Sequence, residues 1–477
     1  MITNLVWFRN DLRIRDNLAL YSACKNEKSI ILGLFVFVPA QWKFHSISYK
    51  KSKFIYNSLV ILKKDLMKLN IFLYFHESTT FLQSIKYITE FCKKKKIDNL
   101  YYNYEYGFFE KQRDILVEKK LKNYKISSYG FHSSTLITPG TIKNIKGNMY
   151  SKYSNFKKKC ILILLQKKLV SLTILKRQNT IIDTSHFHIP IFKFPFEKFN
   201  TQIFPIGELK AIKKLKFFLK RKFNDYDINR NYFSLNSTSM LSVYFSIGIL
   251  SPIRCFLILH KYYSYTKYKK FVENCSWINE LIWREFFKHL LYFYPKLSKQ
   301  QVLCDWEKNI KWEKNKKNLN AWKKGETGFP IIDSAMKQLN QMGWMHNRLR
   351  MITSSFLVKN LLINWREGEK YFMSKLIDGD TALNNGGWQW IASVGLNNIP
   401  YFRIFNPLLQ SKKFDKNGTF IKKYIPELKK LSAIEVHNPS LWNKETKKIV
   451  KYPKKIVSFS ETKKIALKIF KFAKCKL

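Results

Sequence analysis

Between Thr327 and Trp390, six side chains built for directional polar contacts alternate with four indoles. The polar set is Asn347, Arg348, Arg350, Asp378, Asp380 and Asn384; the indoles are Trp344, Trp365, Trp388 and Trp390. Polar groups among so many large rings must be paired, because a buried amide, guanidinium or carboxylate without a partner costs several kcal/mol. Such a mixture suits a planar ligand whose edges donate and accept hydrogen bonds. Two other stretches can do chemistry. Thr238, Ser239, Met240, Leu241 and Ser242 form a T-S-x-L-S run. It can turn hydroxyls and backbone N–H groups toward a phosphate, above all where it opens a helix. Taken alone, a Ser/Thr cluster is more often a cap or a turn. The run from Trp277 to Phe286, W-I-N-E-L-I-W-R-E-F, has helical period. Trp277, Glu280 and Arg284, with Trp283 half a turn aside, therefore share one broad face. In an arbitrary helix that face would be ordinary core edged by a Glu–Arg pair.

The elements that must position these groups fall into three spans. In residues 1–132, apolar runs at Leu5–Arg9, Ile30–Val38, Ile71–Phe75 and Asn99–Asn103 alternate with helical patterns at Lys50–Lys68, Phe81–Lys95 and Phe108–Lys120. That alternation predicts an α/β domain, a doubly wound parallel sheet. It holds neither G-x-G-x-x-G nor G-x-x-x-x-G-K-[ST], so no dinucleotide or triphosphate site is assigned to it. Arg9, Asp11, Arg13, Arg15 and Asp16 read by themselves as a paired surface loop after the first strand. Residues 133–207, Lys-rich, weakly periodic and punctuated by Gly140, Gly147, Pro190, Pro195 and Pro205, read as a long connector. From 208 to 477 the pattern is helical. Helices are expected at Leu209–Lys222, from Pro252, and at Trp277–Tyr294, Ile331–Gln341, Met345–Leu362 and Trp365–Ile377.

Composition narrows the function. The chain has 477 residues, 46% hydrophobic and 16% aromatic, which suits folded domains with ample core and excludes a mainly disordered chain. The longest apolar run, Ile30–Ala40, is too short to span a bilayer, and the charged N-terminus resembles neither signal nor transit peptide. A cytoplasmic protein with no membrane partner is expected. Seven scattered cysteines without C-x-x-C argue for reduced thiols and against a structural zinc. No H-E-x-x-H occurs, and His186 and His188 alone make a poor metal site, so no metal is expected. The net charge of +53 points to a polyanionic partner, hence nucleic acid. The abundance of Lys, Ile, Asn, Phe and Tyr also fits an A+T-rich coding bias. Runs such as Lys93–Lys96 and Lys157–Lys159 read as solvated surface rather than contacts.

G-W-M-H-N-R-L-R-M at 343–351, D-G-D at 378–380 and N-N-G-G-W-Q-W at 384–390 occur together and in order. They resemble the flavin-binding core of the DNA photolyase/cryptochrome family, nearest its bacterial class I cyclobutane pyrimidine dimer photolyases. V-W-F-R-N-D-L-R-I-R-D-N at 6–17 resembles that family's opening strand and loop. The resemblance implies that the helical domain binds FAD. The implied contacts are Tyr226, Thr238, Ser239, Met240, Leu241, Ser242, Trp277, Glu280, Arg284, Asn347, Arg350, Asp378, Gly379, Asp380 and Asn384. Met240 stands where the family's phosphate-binding T-S-R-L-S has arginine. Arg350 would pair with Asp378 over the flavin ring, Asp380 would accept from the flavin's edge or ribose, and Asn384 would face its reactive nitrogen.

The same resemblance places a flipped pyrimidine dimer against Glu280, Asn347 and Met351, between aromatic walls Trp283 and Trp390. Arg230, Trp283, Arg348, Trp390 and Gln410 would contact damaged DNA, and Trp312, Trp365 and Trp388 would carry electrons from surface to flavin. Phe109, Glu110 and Lys299 match the site of a folate antenna, 5,10-methenyltetrahydrofolate, with Phe109 where the family usually has asparagine. The implied activity is light-driven repair of cyclobutane pyrimidine dimers by a monomer. A cryptochrome-type photoreceptor is the rival. It commonly carries a long C-terminal extension and altered cavity residues, whereas this chain keeps Glu280, Asn347, Met351 and both tryptophan walls. A (6-4) photolyase would carry histidines where Asn347 and Met351 stand, and a simple basic nucleic-acid binder would leave Arg350, Asp378, Asp380 and Asn384 without a role.

Overall fold

A computed structural model describes residues 2–166, 169–172, 189–262, 268–439 and 451–475. His186 and His188 lie outside the described residues. Near the N-terminus, β1 (Thr3–Phe8), β2 (Ile30–Phe37), β3 (Phe72–Glu77), β4 (Asn99–Asn103) and β5 (Ser127–Phe131) form one sheet in the order β3-β2-β1-β4-β5. Every neighbouring pair is parallel, so the sheet is doubly wound as expected. β1 and β2 read as continuous apolar runs because helices cover both faces. Leu5 and Trp7 of β1 pack with Ile85 and Ile88 of helix Phe81–Lys94 and Val117 and Leu121 of helix Phe108–Lys122. Helix Tyr49–Met67 buries Phe54, Leu59 and Leu66 completely.

Three features depart from the sequence reading. β5 was not foreseen: S-S-Y-G-F is an edge strand, exposed or half-buried along its length, so it lacks the branched apolar run that marks a central strand. The span read as a connector contains helix Tyr153–Gln166, with Tyr153, Phe156, Cys160, Ile161 and Leu164 buried at helical spacing. Lys157, Lys158 and Lys159 interrupt that stripe in the sequence. The loop after β1 is not a surface loop. Arg9, Asp11, Arg13 and Asp16 are all buried. Arg13 donates to the carbonyls of Asp16, Ser133 and Gly248, and Asn103 Nδ2 donates to Asp11. Alternating charges are as compatible with buried pairing as with solvent, and only the packing decides.

The chain divides into two compact units. The first comprises Met1–Phe223, Ser239–Lys299 and Ile377–Ala382, and the second Asn224–Thr238, Gln300–Leu376 and Leu383–Leu477. Among the described residues the second unit is helical, with one core that includes Trp322, Ile332, Met336, Leu349, Phe356, Trp365, Trp388 and Phe470. Helix Pro330–Met342 starts with Pro at its first turn, as the T-G-F-P opening suggests. The helix expected over Met345–Leu362 is shorter. It runs Asn347–Ser355, capped by His346, whose Nδ1 accepts from Arg348 N, and continues as a π-helical turn, Phe356–Asn360. Helix Phe459–Cys475, unremarkable in its lysine-rich sequence, docks through a narrow stripe of Ala466, Phe470 and Ala473. No described helix is long and apolar enough to cross a membrane.

Candidate functional site

In the first unit, the D-G-D loop is held by two lysines the sequence reading missed. Lys51 Nζ donates to the Gly379 carbonyl, and Lys288 Nζ sits 2.7 Å from Asp380 Oδ2. Asp380 Oδ1 accepts from Ala382 N at 3.0 Å, at the entry of helix Thr381–Ala392. Burial alone would raise the Asp380 carboxyl; Lys288, Arg284 and Lys51 outweigh it and bring it to about 2, so it is an anion at any working pH. Burial lowers the Lys51 ammonium to about 8 against the opposing pull of Asp380. Asp378 is buried beside them. Lys288 follows Arg284 by one helical turn and was legible by spacing; Lys51 lies in a lysine-rich helix and carried no signal.

Helix Ser276–Phe293 presents the expected face. Trp277 and Arg284 are buried; Glu280 and Trp283 are half-buried. The Trp277 indole N–H reaches Ser239 Oγ at 3.5 Å. Ser242 opens only a five-residue helix, Ser242–Ser246, and Met240 adopts the left-handed region at φ 51°. Tyr153 stacks flat on Trp283, with centroids 3.5 Å apart and 3° between planes, so one indole face is already covered. Arg284 donates to the Ser134 carbonyl at 2.7 Å.

Glu285 is fully buried, accepting from Leu136 N and Ile137 N at 2.8 and 3.3 Å. Burial raises it to about 7, with Arg284 opposing. A carboxyl raised on folding stabilises the protein below its unfolded pKa, and that stability drains as pH rises toward 7. The shift corresponds to on the order of 3 kcal/mol. Glu285→Gln keeps the acceptor oxygen and removes the ionisation. Urea midpoints between pH 5 and 8 should therefore fall less steeply in the variant than in the parent; parallel curves would refute the assignment.

The first unit also encloses a polar cavity of about 170 Å³, lined by Arg9, His45, Lys51, Glu110, Arg113 and Asp380 among others. Glu110 lines it, and its sequence neighbour Phe109 lies beside Lys299, which is distant in sequence. The Lys299 ammonium lies 5.5 Å from the Phe109 ring centre and 4.6 Å from that of Phe108. Burial would raise the Glu110 carboxyl, but the hydrogen bond and charge of His45, with Arg113, hold it at about 2. Its Oε2 is buried and lacks a partner among the described residues, an acceptor for a donor-bearing ligand edge.

In the second unit, Asn347 and Met351 stand four residues apart on one helix face, Asn347 exposed and Met351 half-buried. Met351 and Trp390 both pack on the small cluster Ile391, Ile399 and Phe405. Arg348 is half-buried, donates to Asn231 Oδ1 at 2.6 Å and lies 4.8 Å from the Phe414 ring centre. Its Nε and the Gln410 Oε1 are buried without partners among the described residues. Arg230 sits 5.6 Å from the Tyr226 ring, and Thr238 is half-exposed. Arg350 Nε donates to the Met345 carbonyl, and Asn384 Nδ2 to the Glu369 carbonyl at 3.0 Å. Burial grades from half-buried Trp312 to Trp365 and Trp388, which are 0% and 2% exposed. The ring neighbours of Trp388 are Phe372 at 5.0 Å and Trp322 at 6.2 Å. Trp322 was not singled out in the sequence, since an isolated tryptophan is more often core than carrier.

A doubly wound parallel sheet and a helical unit rich in tryptophan define the class as an α/β-plus-helical protein with a clamped acidic loop. A family model described as DNA photolyase matches residues 4–171, and one described as FAD binding domain of DNA photolyase matches 277–472. The deoxyribodipyrimidine photo-lyase of Buchnera aphidicola subsp. Baizongia pistaciae is 53% identical over 100% of this chain and 99% of its own. That of Escherichia coli K12 is 39% identical over 99% of both. Among solved structures, a class III photolyase from Agrobacterium tumefaciens superposes with TM-score 0.81 at 28% identity, covering 99% of this chain and 98% of its own. A cryptochrome from Synechocystis superposes with TM-score 0.83 at 26% identity, covering 98% and 99%. The chain belongs to the DNA photolyase family.

The family's cofactor is FAD, and the donors present fit it. The first unit offers a buried carboxylate at Asp378, the clamped Asp380, the cation Arg284 and the Ser239 and Ser242 hydroxyls. The second offers the amides of Asn347 and Asn384 and the guanidinium of Arg350. Carboxylates suit ring and ribose donors, while hydroxyls and cations suit a diphosphate.

Proposed function

We propose that this chain is a deoxyribodipyrimidine photo-lyase: it splits cyclobutane pyrimidine dimers in DNA, driven by light. The observation that carries the reading is the Trp390–Met351 surface. It is half-open, apolar and bordered one turn away by the exposed amide of Asn347. Such a surface suits an unstacked base, which needs an aromatic wall and an edge partner. FAD bound in its reduced form would supply the electron-transfer chemistry of this light-driven, redox-neutral cleavage.

The chain's own residues do the rest. Trp390 offers an aromatic wall to a flipped pyrimidine in the second unit and Trp283 one in the first, where the Tyr153 stack fixes the Trp283 plane. Glu280 hydrogen-bonds the pyrimidine edge and steadies the added charge. Arg230, Arg348 and Gln410 hold the flanking DNA, and the stack on Phe414 aims Arg348. Trp312, Trp365 and Trp388 would pass electrons inward from an external reductant. Lys51 and Lys288 keep Asp378, Gly379 and Asp380 in register for the cofactor.

A second, light-gathering chromophore of the folate type is assigned to Phe109, Glu110 and Lys299, where the unpartnered Glu110 oxygen awaits a donor. The functional spans are those of the sequence: 1–132 for the antenna, 133–207 as connector and 208–477 for FAD and DNA. The enzyme works as a metal-free monomer in the cytoplasm. A reducing compartment is supported by seven free cysteines.

The test is direct. Reduced protein is incubated with a thymine-dimer oligonucleotide under near-ultraviolet or blue light, beside a dark control. Thymine should be recovered in the light alone; no recovery in the light would sink the lyase reading.

A further inference from the structure

Three costly features meet at one point of the second unit's core. Lys359 is 0% exposed and, among the described residues, has no carboxylate partner. A buried ammonium is expensive without one, and burial drives this one well below the ordinary lysine range. Its Nζ donates to Ser393 Oγ at 3.0 Å and lies 3.4 Å from the Phe470 ring centre. Lys359 belongs to the π-helical turn Phe356–Asn360, a wider turn than the α-helix, of a kind that often marks function. Ser393, at φ 66°, is a non-glycine residue in the left-handed region.

What these features hold is the turn behind Trp390. Ser393 N donates to the Trp390 carbonyl at 3.3 Å, and Asn398 Nδ2 donates to the Ser393 carbonyl at 2.7 Å. Ile399 N closes the turn on the Trp390 carbonyl at 3.3 Å. Ile399 is one of the residues on which Trp390 and Met351 pack. A methionine would fill the same space without a desolvated amine, and replacing a buried charge by a well-packed apolar side chain often stabilises. For folding alone, then, lysine is a poor choice here.

We propose that Lys359 is a positioning residue for the substrate cavity. Through Ser393 it fixes the turn on which Trp390 and Ile399 meet, and so presets the surface that receives the flipped base. The proposal rests on the reading of Trp390 and Met351 as that surface. The full-length holoenzyme is compared with Lys359→Met, Ser393→Ala and the double variant. The readouts are melting temperature, dark affinity for dimer-bearing and undamaged duplexes, and repair per photon at saturating DNA.

Lys359→Met should melt no lower than the parent yet bind damaged DNA about tenfold more weakly, with undamaged DNA and saturated repair unchanged. Ser393→Ala should weaken damaged-DNA binding to the same degree but melt lower, because it strips the buried amine of its hydrogen-bond partner, and the double variant should bind no worse than either single one, as one shared contact requires. Parent-like affinity of Lys359→Met for damaged DNA overturns the proposal. Should that variant fail to fold, parent-like affinity of Ser393→Ala overturns it instead. Trp390→Ala separates the two levels: if it too binds damaged DNA like the parent, the cavity reading fails and the proposal falls with it.

Discussion

Trp388→Phe should abolish light-driven reduction of oxidised flavin while leaving repair by already reduced enzyme largely intact. The indole is 2% exposed, and its N–H has no acceptor among the described residues. Phenylalanine retains the packing against Phe372 and Trp322 but is much harder to oxidise. The position is also sterically fixed: a Cβ on Gly368 would overlap the Trp388 ring, so helix Trp365–Lys375 approaches it as closely as glycine allows. Illuminating oxidised protein with an external reductant and following the loss of flavin absorbance separates the roles. If the variant photoreduces at the parent's rate, Trp388 is packing, and the route through Trp365 and Trp312 is wrong.

Asp333→Ala should destabilise the protein by roughly 4 kcal/mol, with denaturant midpoints as the measure. Asp333 is 0% exposed and organises the entry of helix Pro330–Met342. One carboxylate oxygen accepts from Thr327 N and Thr327 Oγ1 at 2.8 and 2.6 Å. The other accepts from Gly328 N at 3.0 Å and from the Tyr452 hydroxyl. Alanine leaves two backbone N–H groups and two hydroxyls unpaired in a site with no room to rearrange. Gly328, at φ 77°, has the Lys454 backbone where a Cβ would go. Burial also raises the Asp333 carboxyl to about 6, so the parent's stability falls as pH climbs from about 4 to 6 through this group, and the alanine variant should lose that slope. A loss below about 1 kcal/mol would show that water replaces the carboxylate.

The site was legible wherever function depends on residue type. Interleaved carboxylates, guanidiniums, amides and indoles over 327–390 reveal a ligand whatever the fold, and the G-W-M-H-N-R-L-R-M, D-G-D and N-N-G-G-W-Q-W runs identify the family. The sheet was legible too, because strands buried on both faces need continuous apolar runs, as β1 and β2 have. β5 escaped because an edge strand needs no such run.

What the tertiary structure alone decided is how charge is used. The lysines at 51 and 359 look in sequence like any others in a chain of net charge +53. Folding buries Lys51 against Gly379 and Lys359 against Ser393 and Phe470. Likewise Arg13 and Asp11, which alternating signs suggest as surface, become internal anchors. A side chain's type fixes what it can bond, and that is written in the sequence. Its dielectric surroundings and partners come from segments hundreds of residues away, and those set whether a charge is solvated, paired or used.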